Sequence, residues 1–149
     1  MLTSFGSVAE VSIDAEANEA YVADGYRNRR VAVLDADSGE IKRYWGAYGN
    51  DPDDTNPGPF VPGQEPAQQF RTPVHCAEPS NDGLVYVCDR VNNRLQVFQT
   101  DGSFVEELFV KPNSLGDGSV WDPDRCQRWD AGEAEPFSFL PRHGGFPIP

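Results

Sequence analysis

The feature that most constrains the fold of this chain is an internal repeat. Residues 21–34, YVADGYRNRRVAVL, return downstream within residues 83–98, GLVYVCDRVNNRLQVF, with Tyr21 answering Tyr86 (86 − 21 = 65 positions). Each copy is predicted to form a strand, a polar loop and a second strand. A repeated antiparallel unit cannot bury both of its faces alone, so it must stack on a neighbour like itself. The repeat therefore predicts two similar sheets.

The two copies correspond position by position, with one extra loop residue in the first. The pairs are Tyr21 and Tyr86, Asp24 and Asp89, Asn28 and Asn93, Arg30 and Arg94, Val31 and Leu95, and Val33 and Val97. Each unit is predicted to contain an inner strand, a second strand, a third strand after the loop and an irregular fourth strand. The inner strands are residues 8–13 and 74–78, the second strands 20–23 and 84–88, and the fourth strands 40–45 and 104–110.

Four antiparallel strands per unit are typical of a propeller blade. We therefore predict an all-β fold, a partial β-propeller with two four-stranded antiparallel blades and an irregular C-terminal tail. The blades are assigned to residues 1–46 and 71–110. Residues 47–70 form an inserted loop rich in Pro, Gly and Asp, and residues 111–149 form the tail, in which alternation stops and Pro recurs.

Two blades cannot close a ring, because propellers have typically four to eight of them. We expect the chain to be a piece of a longer protein, or to assemble with other copies, or to leave its sheet edges exposed. Open strand edges pair readily with other chains. The expected partners are therefore additional blades or further copies of this chain.

Charge and hydropathy exclude several classes of function. The net charge of −12 argues against nucleic acid and against anionic membrane surfaces. No run of about 18 apolar residues is present, so no membrane span is expected. The opening MLTSFGSVAEV lacks the basic and apolar regions of a signal peptide.

The three cysteines, Cys76, Cys88 and Cys126, leave at least one thiol unpaired. A hairpin turn at residues 80–82 would place Cys76 opposite Tyr86 and make Cys88 its diagonal neighbour at about 7 Å. That separation is long for a disulfide, so two buried thiols are favoured. No Cys-x-x-Cys pair occurs, which excludes a zinc knuckle.

The inserted loop carries oxygen donors of the kind that calcium takes. They are Asp51, Asp53, Asp54 and Asn56. Their spacing departs from the EF-hand loop, which requires Gly at position six and Glu at position twelve, where this chain has Asn56 and Pro62. A solvated acidic loop is the favoured interpretation, and calcium is the alternative.

Antiparallel pairing also predicts a functional end of the sheets. The start of an inner strand and the end of the second strand lie at the same end, so His75, Arg90 and the loop residue Tyr26 should converge on one mouth. Such a set offers a metal ligand or base, a carboxylate clamp and a proton acceptor. The alternatives are structural: a hydrogen-bonded His75, an Arg90 paired with Asp89 or with a neighbouring blade, and a Tyr26 that simply packs.

The signature Tyr-Val-x-Asp, Asn-x-Arg or Asn-Arg, Val-x-Val-Phe and Asp-Gly resembles the NHL repeat over roughly residues 7–110. The stretches DGYRN at 24–28, QFRTPVH at 69–75 and VCDR at 87–90 further resemble peptidyl-α-hydroxyglycine α-amidating lyases, which are six-bladed propellers that yield a peptide amide and glyoxylate. The resemblance covers about two blades. It implies that Tyr26 is the catalytic tyrosine, Arg90 a substrate-binding arginine and His75 a zinc ligand, and it implies a secreted or periplasmic location.

The chain departs from that family in ways that bear on activity. The family binds zinc through three histidines, and the remaining histidine of this chain, His143, lies in the Pro-rich tail. One histidine cannot hold a catalytic zinc in the usual three-ligand site. Arg27 also stands where the animal enzymes have cysteine. We therefore expect little or no lyase activity from this chain alone. The ligand that the resemblance implies is a peptide. The rival functions are a non-catalytic protein- or carbohydrate-binding module and a structural subunit of a larger assembly.

Overall fold

The computed structural model describes residues 4–122. This part of the chain contains eight β-strands and one short 3-10 helix, Ala47–Gly49. The strands are β1 (Glu10–Asp14), β2 (Glu19–Asp24), β3 (Arg30–Asp35), β4 (Ile41–Trp45), β5 (Val74–Pro79), β6 (Leu84–Asp89), β7 (Arg94–Gln99) and β8 (Phe104–Phe109). They form two four-stranded sheets, each antiparallel and each in chain order.

This topology confirms the predicted all-β class with two antiparallel four-stranded sheets, an arrangement consistent with a partial propeller. The greater part of the predicted tail, residues 123–149 with Cys126 and His143, lies outside the described residues. No helix within residues 4–122 is long and apolar enough to cross a membrane.

The core lies between the two sheets. Alternate residues of β2 and β3 point toward the second sheet. Ala23 pairs with Val31 and Tyr21 pairs with Val33, so these four side chains lie on one face of sheet 1. These residues pack on the facing side of β5, β6 and β7, and sheet 1 reaches sheet 2 mainly through β1 and β2 against β5. The fully buried members include Tyr21, Val31, Val33, Phe70, Val74, Val85, Val87 and Phe98.

The repeated Asp, Asn and Arg residues form the same hydrogen-bonded clamp in both sheets. In sheet 2 the Asp89 carboxylate accepts bonds from Arg94 Nε at 2.7 Å, Asn92 Nδ2 at 2.7 Å and the Arg71 backbone N–H at 3.0 Å. Asp89 and Arg94 are both fully buried. The repeat signature is thus a structural device that ties the end of β6 to the start of β7 and to the segment before β5.

Sheet 1 repeats this clamp around Asp24. Its carboxylate accepts bonds from Arg30 Nε at 2.8 Å, Asn28 Nδ2 at 2.7 Å and the Gly6 backbone N–H at 2.7 Å. The comparison corrects the sequence alignment, because Asn28 is matched by Asn92 and not by Asn93. The extra loop residue of the first copy therefore lies between the aspartate and the asparagine.

The expectation of two free thiols at Cys76 and Cys88 was wrong, because these residues form a disulfide. They are direct partners across β5 and β6, with Cα atoms 4.8 Å apart. The register Glu78 with Tyr86 centres the turn on Asp82 rather than on Asn81. A shift of one residue in the turn centre moves every cross-strand partner by two, which converts a diagonal pair into a facing pair.

The inserted loop is attached to both sheets by arginines at their ends. The Arg29 backbone N–H donates to Asp54 Oδ1 at 2.8 Å, and the Arg71 side chain donates to the Gly58 carbonyl. Gln69 also bonds Thr55 across the loop at 2.6 Å. The loop therefore covers the same end of the sheets at which the two clamps lie.

Glu19 at the start of β2 is held by a basic cluster. Its carboxylate accepts from both terminal nitrogens of Arg43 at 2.7 and 2.6 Å, from Lys42 at 2.6 Å and from the Tyr21 hydroxyl at 2.9 Å. The Arg43 hydrogen bonds lower the pKa of Glu19 from 4.5 to about 2. Burial and the bond to Glu19 raise the pKa of Tyr21 to about 12.

We expect the Arg94→Met substitution to lower the free energy of unfolding by about 3–5 kcal/mol, because it leaves Asp89 as a buried, unpaired charge. Urea denaturation measures the change. Arg27→Met, at an exposed arginine, is the matched control and should cost less than about 0.5 kcal/mol. Adding Asp89→Asn to Arg94→Met should recover part of the loss. A double variant no more stable than the single variant would contradict the clamp.

We expect the Glu19 cluster to make stability depend on acid pH. A carboxylate whose pKa is lowered on folding contributes its full stabilisation above the unfolded value of 4.5 and loses it as the pH falls toward about 2. Glu19→Gln should therefore show a smaller loss of unfolding free energy than the wild type between about pH 5 and about pH 2. Glu16→Gln, at an exposed turn position, should retain the wild-type slope; equal slopes for all three proteins would refute the assignment.

Candidate functional site

Two of the sequence-predicted site residues, Tyr26 and His75, lie side by side. Tyr26 follows the end of β2, and His75 is the second residue of β5. Their ring centroids are 6.3 Å apart in an edge-to-face arrangement. Tyr26 is 48% exposed, so its phenol is accessible to a ligand at this end of the sheets.

Trp121 connects this pair to the third predicted residue, Arg90. The His75 and Trp121 ring centroids are 5.3 Å apart, and the Arg90 guanidinium carbon lies 4.2 Å from the Trp121 ring centroid. Sequence reasoning missed Trp121, because it follows the last strand at the point where the repeat pattern ends. The available sequence signal was an apolar Val-Trp pair in the stretch SVWD, after the last predicted strand.

Two glycines allow these segments to approach each other. A Cβ atom at Gly25 would overlap the backbone of Val74, where the loop after β2 crosses the start of β5. A Cβ atom at Gly118 would overlap the carbonyl of Arg90, and Gly118 also has a positive φ of 77°. The absence of a side chain at both positions therefore brings Tyr26 to His75 and Trp121 to Arg90.

His75 has one ring nitrogen engaged. Its Nδ1 lies 2.6 Å from the backbone carbonyl oxygen of Trp121. A carbonyl oxygen only accepts hydrogen bonds, so in the neutral ring the proton is on Nδ1 and the lone pair is on Nε2. This arrangement, in which Nδ1–H bonds a carbonyl, is the one that orients a histidine as a metal ligand or base through Nε2.

Arg90 is buried but weakly paired. The predicted structural alternative, a pair with Asp89, is not formed, since Asp89 pairs with Arg94. Arg90 Nη2 lies instead 3.6 Å from Asp117, whose side chain is 80% exposed, and exposed ion pairs contribute little. Arg90 Nε has no hydrogen-bond partner in the part of the chain described. The Arg90 guanidinium thus retains donors for an anionic group.

Three of the four oxygen donors proposed for calcium, Asp53, Asp54 and Asn56, accept hydrogen bonds from backbone N–H groups. Asp53 Oδ1 accepts from the Thr55 backbone N–H at 2.9 Å, and Asn56 Oδ1 accepts from the Gly58 N–H at 3.0 Å. Asp54 accepts from Arg29. Across residues 4–122 these side chains do not form a cluster of three metal-ligating groups.

A different cluster joins the inner strands of the two sheets. Glu10, Cys76 and Glu78 place their ligand atoms within 4.8 Å of one another. Burial raises the pKa of Glu10, and the charge of Asp122 adds to this effect. Because the Cys76 sulfur belongs to the disulfide, it is not a thiolate ligand here. His75 is not a member of this cluster, so within residues 4–122 it has no group of partners that would complete a three-ligand zinc site.

A scan of the sequence against models of known protein families finds no match. Among solved structures, the chain is similar to apo AztD from Citrobacter koseri. The two are 16% identical, with a TM-score of 0.45 over 73% of this chain and 25% of that chain. The matched part of this protein thus spans about a quarter of the length of that structure.

We expect the neutral imidazole of His75 to carry its proton on Nδ1, because the Trp121 carbonyl accepts it. Long-range ¹H–¹⁵N correlation spectra distinguish the two tautomers by their ¹⁵N shifts. Trp121→Leu should keep the Nδ1–H form, since the acceptor is a backbone group. A neutral His75 protonated mainly on Nε2 would remove the basis for assigning Nε2 as the free ligand atom.

Proposed function

We propose that this chain supplies two blades of a larger β-propeller related to the peptidyl-α-hydroxyglycine α-amidating lyases, and that Tyr26, His75 and Arg90 face its ligand-binding mouth. The single observation that carries the proposal is the contact chain from Tyr26 through His75 and Trp121 to Arg90. These residues lie far apart in sequence, and their types are those that the family resemblance implies for the site.

The chemistry assigned to each residue follows from the reaction. Cleavage of a peptidyl-α-hydroxyglycine removes the proton of the hydroxyl group, breaks the C–N bond and returns a proton to the amide nitrogen, leaving glyoxylate. We assign Tyr26 as the group that accepts the hydroxyl proton and Arg90 as the donor to the substrate carboxylate. His75 would use its free Nε2 to bind a metal or to orient the substrate.

Zinc, which the family resemblance implies, needs more ligands than residues 4–122 provide. A catalytic zinc is held by three protein ligands with one open position. In this part of the chain His75 is the only histidine. His75 does not belong to the possible metal-binding cluster, which consists of Glu10, Cys76 and Glu78. Further blades would have to supply the missing ligands, so no catalytic step is assigned to the metal.

A second candidate function, a subunit or module that docks onto another propeller blade, is supported by an apolar face on sheet 1. Val11, Val22, Ala32 and Tyr44 follow one another across the four strands on the side away from sheet 2. Val11, Ile13, Ile41 and Tyr44 are 53%, 59%, 42% and 43% exposed. In a propeller this face packs on a neighbouring blade, which is why a further blade is the proposed occupant.

We expect the purified chain with added zinc to bind a peptidyl-α-hydroxyglycine weakly without releasing glyoxylate, because the ligand set is incomplete. Glyoxylate is measured by a carbonyl assay, and binding by shifts of the His75 and Trp121 resonances. Arg90→Gln should abolish these shifts if its fold is retained. Tyr26→Phe, which keeps the ring but removes the proton acceptor, should bind as the wild type does.

One outcome would refute the expected inactivity, and another would overturn the first proposal. Turnover that is lost on chelation would refute the expected inactivity. If the His75 and Trp121 resonances do not change at saturating peptide, the proposal that these residues line a ligand-binding mouth is refuted. Sedimentation distinguishes the second candidate: a discrete oligomer that Ile13→Lys converts to a monomer, together with no peptide binding, would favour a docking subunit.

A further inference from the structure

A cavity of about 320 Å³ lies between the inserted loop and the end of sheet 2. Its apolar walls come from two loop segments and the end of β8. They are Phe60, Val61, Pro66, Phe109 and Pro112. None of Tyr26, His75, Arg90 and Trp121 lines it, so it is separate from the mouth described above. The volume is at the lower end of the range for small-molecule sites.

The polar part of the wall includes Arg71, a buried arginine that forms no ion pair within residues 4–122. Arg71 is 8% exposed. Its Nε donates to Asn92 Oδ1 at 2.6 Å, its Nη1 donates to the Gly58 carbonyl, and the guanidinium carbon lies 6.0 Å from the Phe60 ring centroid. Within residues 4–122 no carboxylate forms an ion pair with it. Its hydrogen bonds in this part of the chain are donated by the backbone N–H, Nε and Nη1, so that Nη2 has no partner there.

The second arginine of the cavity, Arg94, provides the contrast. Its Nε bonds Asp89, its Nη1 bonds the Tyr48 hydroxyl and Glu107, and its Nη2 bonds the Gln69 carbonyl at 3.0 Å. Every nitrogen of the Arg94 guanidinium is therefore engaged. Of the two arginines that line the cavity, Arg71 is the one that retains a guanidinium donor for a molecule in the cavity.

The charge of Arg71 is held at a free-energy cost. Burial lowers the pKa of Arg71, and Arg94 and Arg29 lower it further while Asp89 opposes them. A buried charge is normally compensated by an opposite charge and by hydrogen bonds to all its polar atoms. An anion bound against Nη2 would supply both, and the apolar walls would bury the remainder of the same molecule.

We propose that this cavity binds a small organic monocarboxylate, with its carboxylate on Arg71 Nη2 and its hydrocarbon or aryl body between Phe60 and Phe109. A volume of about 320 Å³ accommodates on the order of ten non-hydrogen atoms at about 30 Å³ each. A single available guanidinium donor and mostly apolar walls favour a carboxylate over a phosphate dianion. The site is independent of the proposed lyase mouth.

Substitution of the exposed Glu65, which lines the cavity, is expected to change carboxylate affinity in the direction opposite to substitution of Arg71. Glu65 lines the cavity and carries a negative charge that repels an anionic ligand. Glu65→Gln is therefore expected to strengthen carboxylate binding severalfold, whereas Arg71→Gln weakens it. A general loss of folding caused by substitution would not raise the affinity of one variant and lower that of the other.

The test compares phenylacetate with its neutral isostere phenylacetamide. Binding of each compound to the whole chain is measured by isothermal titration calorimetry and by ¹H–¹⁵N spectra. Phenylacetate is expected to shift resonances of Phe60 and Phe109, and phenylacetamide to bind at least about tenfold more weakly. Arg71→Gln is expected to weaken phenylacetate about ten- to a hundredfold, since a charge-assisted hydrogen bond is lost. Arg27→Gln, at an exposed arginine that does not line the cavity, is the matched control and should bind phenylacetate as the wild type does.

The proposal is overturned if the folded wild type shows no shifts at Phe60 and Phe109 with phenylacetate at millimolar concentration. Equal affinity for phenylacetamide, or wild-type affinity in a folded Arg71→Gln variant, would overturn it as well. If Arg71→Gln does not fold, the wild-type isostere pair and Glu65→Gln decide the question. Shifts confined to His75 and Trp121 would place the ligand at the mouth and reject the cavity.

Discussion

The buried pair of Asp89 and Arg94 is the interaction on which the rest of the structure depends. Asp89 is fully buried and receives bonds from three different segments, namely β7, the β6–β7 loop and the residues before β5. Arg94 continues the network to Tyr48, in the segment that leaves sheet 1. Since a buried charge is costly when its partner is absent, these segments are held together as one unit.

The same network positions both candidate sites. The Arg71 backbone bonds Asp89, and its side chain bonds Asn92, which itself bonds Asp89. Arg71 lies three positions before β5, so the clamp sets where β5 starts and therefore where His75 lies. The cavity cation and the mouth histidine are thus held by opposite ends of one short segment, residues 71–75.

Much of the fold could be predicted from the repeat, because alternating apolar residues and a shared polar loop identify strands and their order. The proximity of Tyr26 and His75 was predictable as well, since antiparallel pairing places strand starts and ends at a common edge. The disulfide was not. Its prediction required the turn centre to within one residue, and the sequence SNDG is compatible with centres on Asn81 and on Asp82.

The sequence by itself determined that this chain forms two like units, because the strand patterns are local and recur, with Tyr21 and Asp24 answered 65 positions later by Tyr86 and Asp89. That the repeated Asp, Asn and Arg residues form a buried clamp was seen only in the structure. Only the tertiary structure decided which residues meet across long separations. Trp121 reaches His75 over 46 positions, and Arg71 reaches the loop carbonyl of Gly58 and not a carboxylate. Such contacts depend on how closely backbones approach, at Gly25 and Gly118 in particular, and no periodicity in the chain encodes that distance.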